Sequence, residues 1–245
     1  MNLTAEIPIY LIKSMAIKIT HQFESILRGC TIRFVQVDVY NVIDMAMDVY
    51  SKIIETSWLY NLDPIVKKSW EERARDTILS VVNEVIRKVD SVVSEDLGEL
   101  VVSMNAQNIL QDVHKHQALP LADLWKEKAR GNPGFDFHTE SPRGFVIFGE
   151  AKYKAKSSAY TPAINQIRDF IVRRKDDKEL SDLQYLVSAQ TRANLLIREL
   201  RGYAAAFSTH TRDVEKMFKH IISKPEFADL LRFPEVYLIG VNIVN

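Results

Sequence analysis

Three apolar runs in the second half of the chain limit its fold more than any other feature. They are "GFVIFGEAKY" (residues 144–153), "GYAAAFST" (202–209) and "EVYLIGVNIV" (235–244). Each has strand length, and each is apolar on both of its alternating faces. A sheet built from such strands must be covered on both sides. Helical patterns between the runs supply the cover. "TPAINQIRDFIVRRK" follows the first, with Thr161 as N-cap and Pro162 at the first helical position. Residues 182–200 and 211–231 are helical in pattern ahead of the second and third runs. With a shorter strand-like run at residues 135–139, the order is helix, strand, strand, helix and then later strands. The expected class is α/β, a central mixed sheet flanked by helices.

The first half reads differently. Gly and Pro number only eight each and concentrate after Gly98, and residues 35–116 are mostly helical in pattern. Val42, Met45, Ala46, Val49 and Ile53 form one stripe at i, i+3, i+4 spacing, and Ile78, Val81, Val82, Val85 and Val89 form another. Residues 1–89 are therefore expected to be a mainly helical N-terminal extension, a dimer face or partner dock, with residues 90–245 as the core. The opening "MNLTAEIPIYLIKSMAIKIT" lacks a basic start, and Lys13 and Lys18 interrupt its apolar residues. Neither a signal sequence nor a membrane span is expected. The single cysteine, Cys30, excludes an internal disulfide framework and suits a reducing, cytoplasmic setting. A net charge of zero is silent on partners, because nucleic-acid binding needs only a local basic face.

Chemistry concentrates in "GNPGFDFHTESPRGFVIFGEAKYKAK" (residues 131–156). Residues two apart in a strand share a face, so Glu150 and Lys152 point together at the end of the row begun by Val146 and Phe148. The short "SPRG" turn favours antiparallel pairing with the strand carrying Asp136. Two carboxylates and an ammonium then converge at one rim of a sheet. Such a pair suits Mg²⁺, which is held by one or two carboxylates plus water and substrate phosphate, and Lys152 can orient the nucleophile. These are the parts for phosphodiester hydrolysis. The competing reading is an exposed strand-end ion pair of little energetic worth.

Asp136 followed by Glu150-Ala151-Lys152 resembles the core motif of the PD-(D/E)XK, or restriction-endonuclease-like, nuclease superfamily. Gly134-Phe135-Asp136 stands where the founding pattern has Pro-Asp. The match covers the chain from about Glu99 onward. "LWKEKARGNPGFDFHTE…FGEAKY" also resembles nuclease subunits of bacterial anti-phage systems, such as the Hachiman-type nuclease. The resemblance implies a Mg²⁺-dependent endonuclease, with Mn²⁺ able to substitute, acting on DNA more than RNA. It implies Asp136, Glu150 and Lys152 as catalytic residues. Targeting would be delegated to a partner subunit (helicase, ATPase or sensor) or to a homo-oligomer. The alternative is a nuclease fold kept as a non-catalytic scaffold or DNA clamp.

Superfamily members often add a carboxylate from the helix before the first core strand. Glu99 fits, falling within the apolar stripe of Val92, Val102, Ala106, Ile109 and Val113, where a carboxylate is costly unless paired or bound to metal. Glu127 is its rival, amid Lys126, Lys128 and Arg130. Gln166 stands where related nucleases often carry a glutamine that supports the site. Lys154, Lys156 and Arg173, with Arg168 and Arg174, are candidate phosphate contacts. Two tempting features are set aside as solvated: "HKH" at residues 114–116 as a helix end, and the second acidic-x-Lys, Asp176-Asp177-Lys178, as a charge run. No phosphate-binding Gly-x-x-x-x-Gly-Lys loop and no Gly-x-Ser-x-Gly elbow is present.

Overall fold

The computed structural model describes residues 17–84, 94–126 and 134–244. The opening segment to residue 16, Val85, Val89, Val92, Val93, Glu127 and the boundary expected at residue 89 lie outside the described residues. A seven-stranded mixed sheet organises the chain, in the order β1-β2-β7-β6-β5-β4-β3. Its strands are β1 (Ile17–Leu27), β2 (Cys30–Tyr40), β3 (Gln117–Ala118), β4 (Phe137–Glu140), β5 (Val146–Lys152), β6 (Arg201–Ser208) and β7 (Glu235–Val244). The four central strands, β2, β7, β6 and β5, run parallel. Antiparallel partners flank them, β1 on one side and β4 then β3 on the other.

The N-terminal expectation needs correction. Residues 17–40 are not helical: they form a hairpin that widens the sheet beside β7. Its turn is the two residues Arg28 and Gly29, both at positive φ (52° and 83°), as the twist of a tight hairpin demands. β2 is buried on both faces because it is an interior strand, so it lacks simple apolar–polar alternation. Helices α1 (Val42–Ile54) and α2 (Pro64–Glu84) follow, so the helical reading holds from residue 42.

Helices cover both faces. On one, Phe148 of β5, Tyr203 and Phe207 of β6 and Leu238 of β7 pack against α5 (Tyr160–Val172) and α9 (Val214–Ser223) through Ile164, Ile167, Phe218 and Ile221. On the other, Ile147, Ala204, Ala206 and Ile239 pack against α1 and α3 (Glu95–Asp112) through Val49, Val101 and Val102. α3 is buried almost all round, including Ser103, Asn105 and Gln107. The stripe read in its sequence, with Val102, Ala106 and Ile109, is thus one side of an enclosed helix. Short helices α4 (Ala122–Trp125), α6 (Lys175–Lys178), α7 (Leu180–Leu183), α8 (Ala189–Leu195) and α10 (Pro225–Ala228) fill the connections. α5 begins at Tyr160, and Ala159 holds the cap position, so Thr161 is inside the helix and is not its N-cap. No described helix is long and apolar enough to cross a membrane.

Candidate active site

β5 carries its polar pair as the alternation predicts. Val146 and Phe148 face the α5 core, Ala151 faces the α3 core, and Glu150 continues the first row with 0% exposure. Asp136 sits just before β4, one step beyond the Phe137–Gly149 pair, which sets it opposite Glu150. Its Oδ2 accepts the Ala151 N–H at 2.7 Å. Lys152 closes the cluster, its Nζ 3.0 Å from Glu150 Oε1 and 3.2 Å from Glu99 Oε1. The structure therefore brings together all four carboxylate and ammonium groups singled out in the sequence.

Glu99 reaches the site through a close approach. A Cβ at Gly98 would lie 2.3 Å from the Tyr153 ring, so only glycine lets the first turn of α3 sit against the end of β5. Ser94 caps that turn, its side chain accepting the Leu97 N–H. Glu99 is half-buried and reaches the cluster through Lys152, whose ammonium it pairs with. Among the described residues no three His, Cys, Asp or Glu side chains are grouped to hold a metal ion.

Electrostatics mark the pair as unusual. Burial pushes the Asp136 carboxyl up to about 7; Asp123 and Glu99 add to this, while the Ala151 N–H and Lys152 oppose it. Burial, and then the charge of Asp136, holds Glu150 well above the ordinary carboxylate range. Burial would lower the Lys152 ammonium, but Glu150, Asp136 and Glu99 outweigh it and raise its pKa. Both Glu150 oxygens are buried and meet no partner in well-aligned hydrogen-bond geometry among the described residues; Lys152, 3.0 Å from Oε1, is the charged group nearest to offset them. Two adjacent oxygen-donor side chains, one with orphaned oxygens, fit a hard cation that takes one or two carboxylates. A 540 Å³ cleft between α1 and α3 is lined by Lys52, Trp58 and Asn108 and by none of these four residues.

The remaining candidates separate by position. Lys154 and Lys156 are exposed on the loop after β5. That loop is tied to the end of β6: Ser208 Oγ accepts the Lys154 N–H at 2.8 Å, and His210 Nε2 lies 2.9 Å from the Lys154 carbonyl. His210 was missed because only the parallel β5–β6 pairing makes it a neighbour. Gln166 is half-buried on α5, and no described hydrogen bond ties it to the carboxylates. Arg173 is displaced from the site. α5 starts beside the end of β6, where the Ala159 N–H meets the Ser208 carbonyl, and runs back toward the strand starts. Its 13 residues carry Arg173 about 20 Å away, paired with Asp169.

Each feature set aside as solvated contains one buried residue, Asp176 and His116. Asp176 is 0% exposed, its Oδ2 2.8 Å from Arg201 Nη1 and 2.9 Å from the Tyr203 hydroxyl. It fastens α6 to β6, a structural role. His116 lies between the Thr139 hydroxyl and the Tyr237 hydroxyl, each at 2.9 Å, and His114 packs on the Tyr237 ring. No protein-family model matches the chain, and no curated protein matches it.

Proposed function

We propose that the chain is a divalent-metal-dependent endonuclease acting on DNA in preference to RNA, with Asp136, Glu150 and Lys152 carrying the chemistry. The observation that carries this reading is Glu150, a fully buried carboxylate whose oxygens find no well-aligned hydrogen bond among the described residues, set beside Asp136. Burying such a pair is costly, and a cation relieves the cost. Asp136 and Glu150 would hold Mg²⁺, or Mn²⁺ in its place, which would supply neutralisation of phosphate charge and activation of a water. Lys152 orients the attacking water, and Glu99 keeps its ammonium charged and aimed. Lys154 and Lys156 take backbone phosphates, which position a nucleic acid without reading its sequence. Targeting then falls to a partner subunit or a second copy of the chain.

The test is incubation of supercoiled plasmid with the purified chain in Mg²⁺, Mn²⁺ or EDTA, beside Asp136→Ala and Glu150→Ala. Nicking by the wild type in either metal, and none in EDTA or by either variant, is expected. Equal cutting by Glu150→Ala ends the proposal. A non-catalytic scaffold is the second reading. Lys152 favours it, because an ammonium 3.0 Å from Glu150 already balances one buried charge. Under that reading Mn²⁺ leaves the melting temperature unchanged.

A further inference from the structure

The direction of a metal-binding carboxylate is set by the backbone that bears it, and around Asp136 that backbone is gripped by a buried ion pair. Phe135, the preceding residue, donates its N–H to Glu179 Oε1 at 3.0 Å. Its carbonyl accepts from Lys126 Nζ. Lys126 Nζ in turn lies 2.6 Å from Glu179 Oε1. The other Glu179 oxygen meets His138 Nε2 at 2.7 Å, two residues past Asp136. One carboxylate thus holds the chain on both sides of Asp136. The side chains are 9% exposed at Glu179 and 0% at His138, so water does not compete for these bonds.

Gly134 belongs to the same device. A Cβ there would lie 2.3 Å from Glu179 Oε1 and 2.8 Å from Lys126 Nζ. This gives a physical reason for glycine ahead of Phe135-Asp136, since a side chain would evict the ion pair. Glu179 is itself fixed, because Asp176 three residues earlier is locked to Arg201 and Tyr203 of β6. The clamp therefore references the approach to β4 to the strand on the far side of β5. As plain stabilisation it is poor value, because a buried ion pair about breaks even against apolar packing.

We propose that Glu179 is a positioning residue: with Lys126 it fixes the Phe135 peptide and so aims the Asp136 carboxylate at a divalent cation shared with Glu150. The inference rests on the metal-dependent reading above. Its test is Mn²⁺ binding to the full chain, followed by electron paramagnetic resonance, with melting temperatures taken without metal. Glu179→Ala should bind Mn²⁺ about ten-fold more weakly or worse, the usual loss when an outer partner of a ligand is removed. Glu179→Gln keeps an oxygen for the Phe135 N–H and should stay within about three-fold of wild type. Plasmid affinity should not change in either, and excess Mg²⁺ should restore cleavage by Glu179→Ala. If Glu179→Ala fails to fold, Lys126→Met removes the other half of the clamp and should weaken Mn²⁺ binding in the same sense. Wild-type Mn²⁺ affinity in the folded variant overturns the role of Glu179 and leaves the metal reading standing. A wild-type chain that binds no Mn²⁺ overturns both.

Discussion

A carboxylate with no exposed atom and no hydrogen bond works against the fold that contains it. Glu150 comes close to this: Lys152 offsets part of the cost, yet burial and Asp136 outweigh it, and the raised pKa means that the neutral form suits the site better than the charged one. Stability from a group of this kind is present at low pH and lost as pH rises. Glu150→Gln should therefore raise the unfolding free energy by about 1–3 kcal/mol in EDTA at pH 8 while abolishing cleavage. Urea melts of the two proteins check it, and equal or lower stability of the variant removes the argument. His116 has the opposite sign. Burial first, then His114 and Arg33, depress it to about 3, while it sits between Thr139 and Tyr237 with Glu235 beyond. Its contribution is complete above the ordinary histidine range and is lost as pH falls from about 6.5 toward that value. Between pH 6.5 and 5 the loss should reach about 2 kcal/mol. Asp136, gaining a proton below about 7, works against it. Urea melts across this range for wild type and His116→Gln isolate the histidine: the variant should lose less stability on acidification. The sequence made the Glu150–Lys152 pair readable because alternation is local. It hid the burial of His116 and Asp176 because their partners, Tyr237 and Arg201, lie 121 and 25 residues away.

At the scale of elements, the site depends on how closely α3 approaches β5. Gly98→Ala places opposing effects in one position. Alanine gains about 1 kcal/mol of helix propensity over glycine. The added methyl, 2.3 Å from the Tyr153 ring, costs about 1–3 kcal/mol in displaced packing. The clash should win, with a lower urea midpoint, and the shifted helix should take Glu99 off Lys152. A midpoint above wild type would show that α3 has slack against the strand. β5, β6 and β7 were legible because strands buried on both faces leave continuous apolar runs. β2 is also buried on both faces, yet "CTIRFVQVDVY" interleaves Arg33, Gln36 and Asp38 with its apolar residues. The pairs Arg33–Glu24 and Asn242–Asp38 accommodate two of those polar groups within the sheet. Arg28-Gly29, with strand-like residues on either side, was the available signal for the hairpin.

At the scale of the whole molecule, parallel strands give the sheet two unlike ends. β5 finishes at Lys152 beside the end of β6, so the loops carrying Lys154, Lys156 and His210 leave the sheet at the end where Glu150 and Lys152 stand. α5 must return to the strand starts before β6 can begin, and it carries Arg173 away with it. Lys154, Lys156 and Arg173 all follow the motif in sequence, and only the crossover sets Arg173 apart. Chemistry, binding and bystander charge should then come apart in experiment. Under the proposed role in orienting water, Lys152→Ala should eliminate turnover while duplex affinity stays near wild type, because such a role is felt in the transition state. Lys152→Arg should not rescue, since a planar guanidinium is larger and holds its donors in a fixed fork that the site does not match. The double variant Lys154→Ala/Lys156→Ala should weaken binding and flatten the salt slope by about one unit per lost phosphate contact. Arg173→Ala, paired with Asp169 at the far end of α5, should change neither rate nor slope. Cleavage rates beside binding at several salt concentrations, with any activating partner present, make the comparison. A flattened slope in Arg173→Ala would mean that nucleic acid crosses the whole α5 face. Wild-type cutting by Lys152→Ala would reduce the cluster to a strand-end ion pair and hand the fold to the scaffold reading.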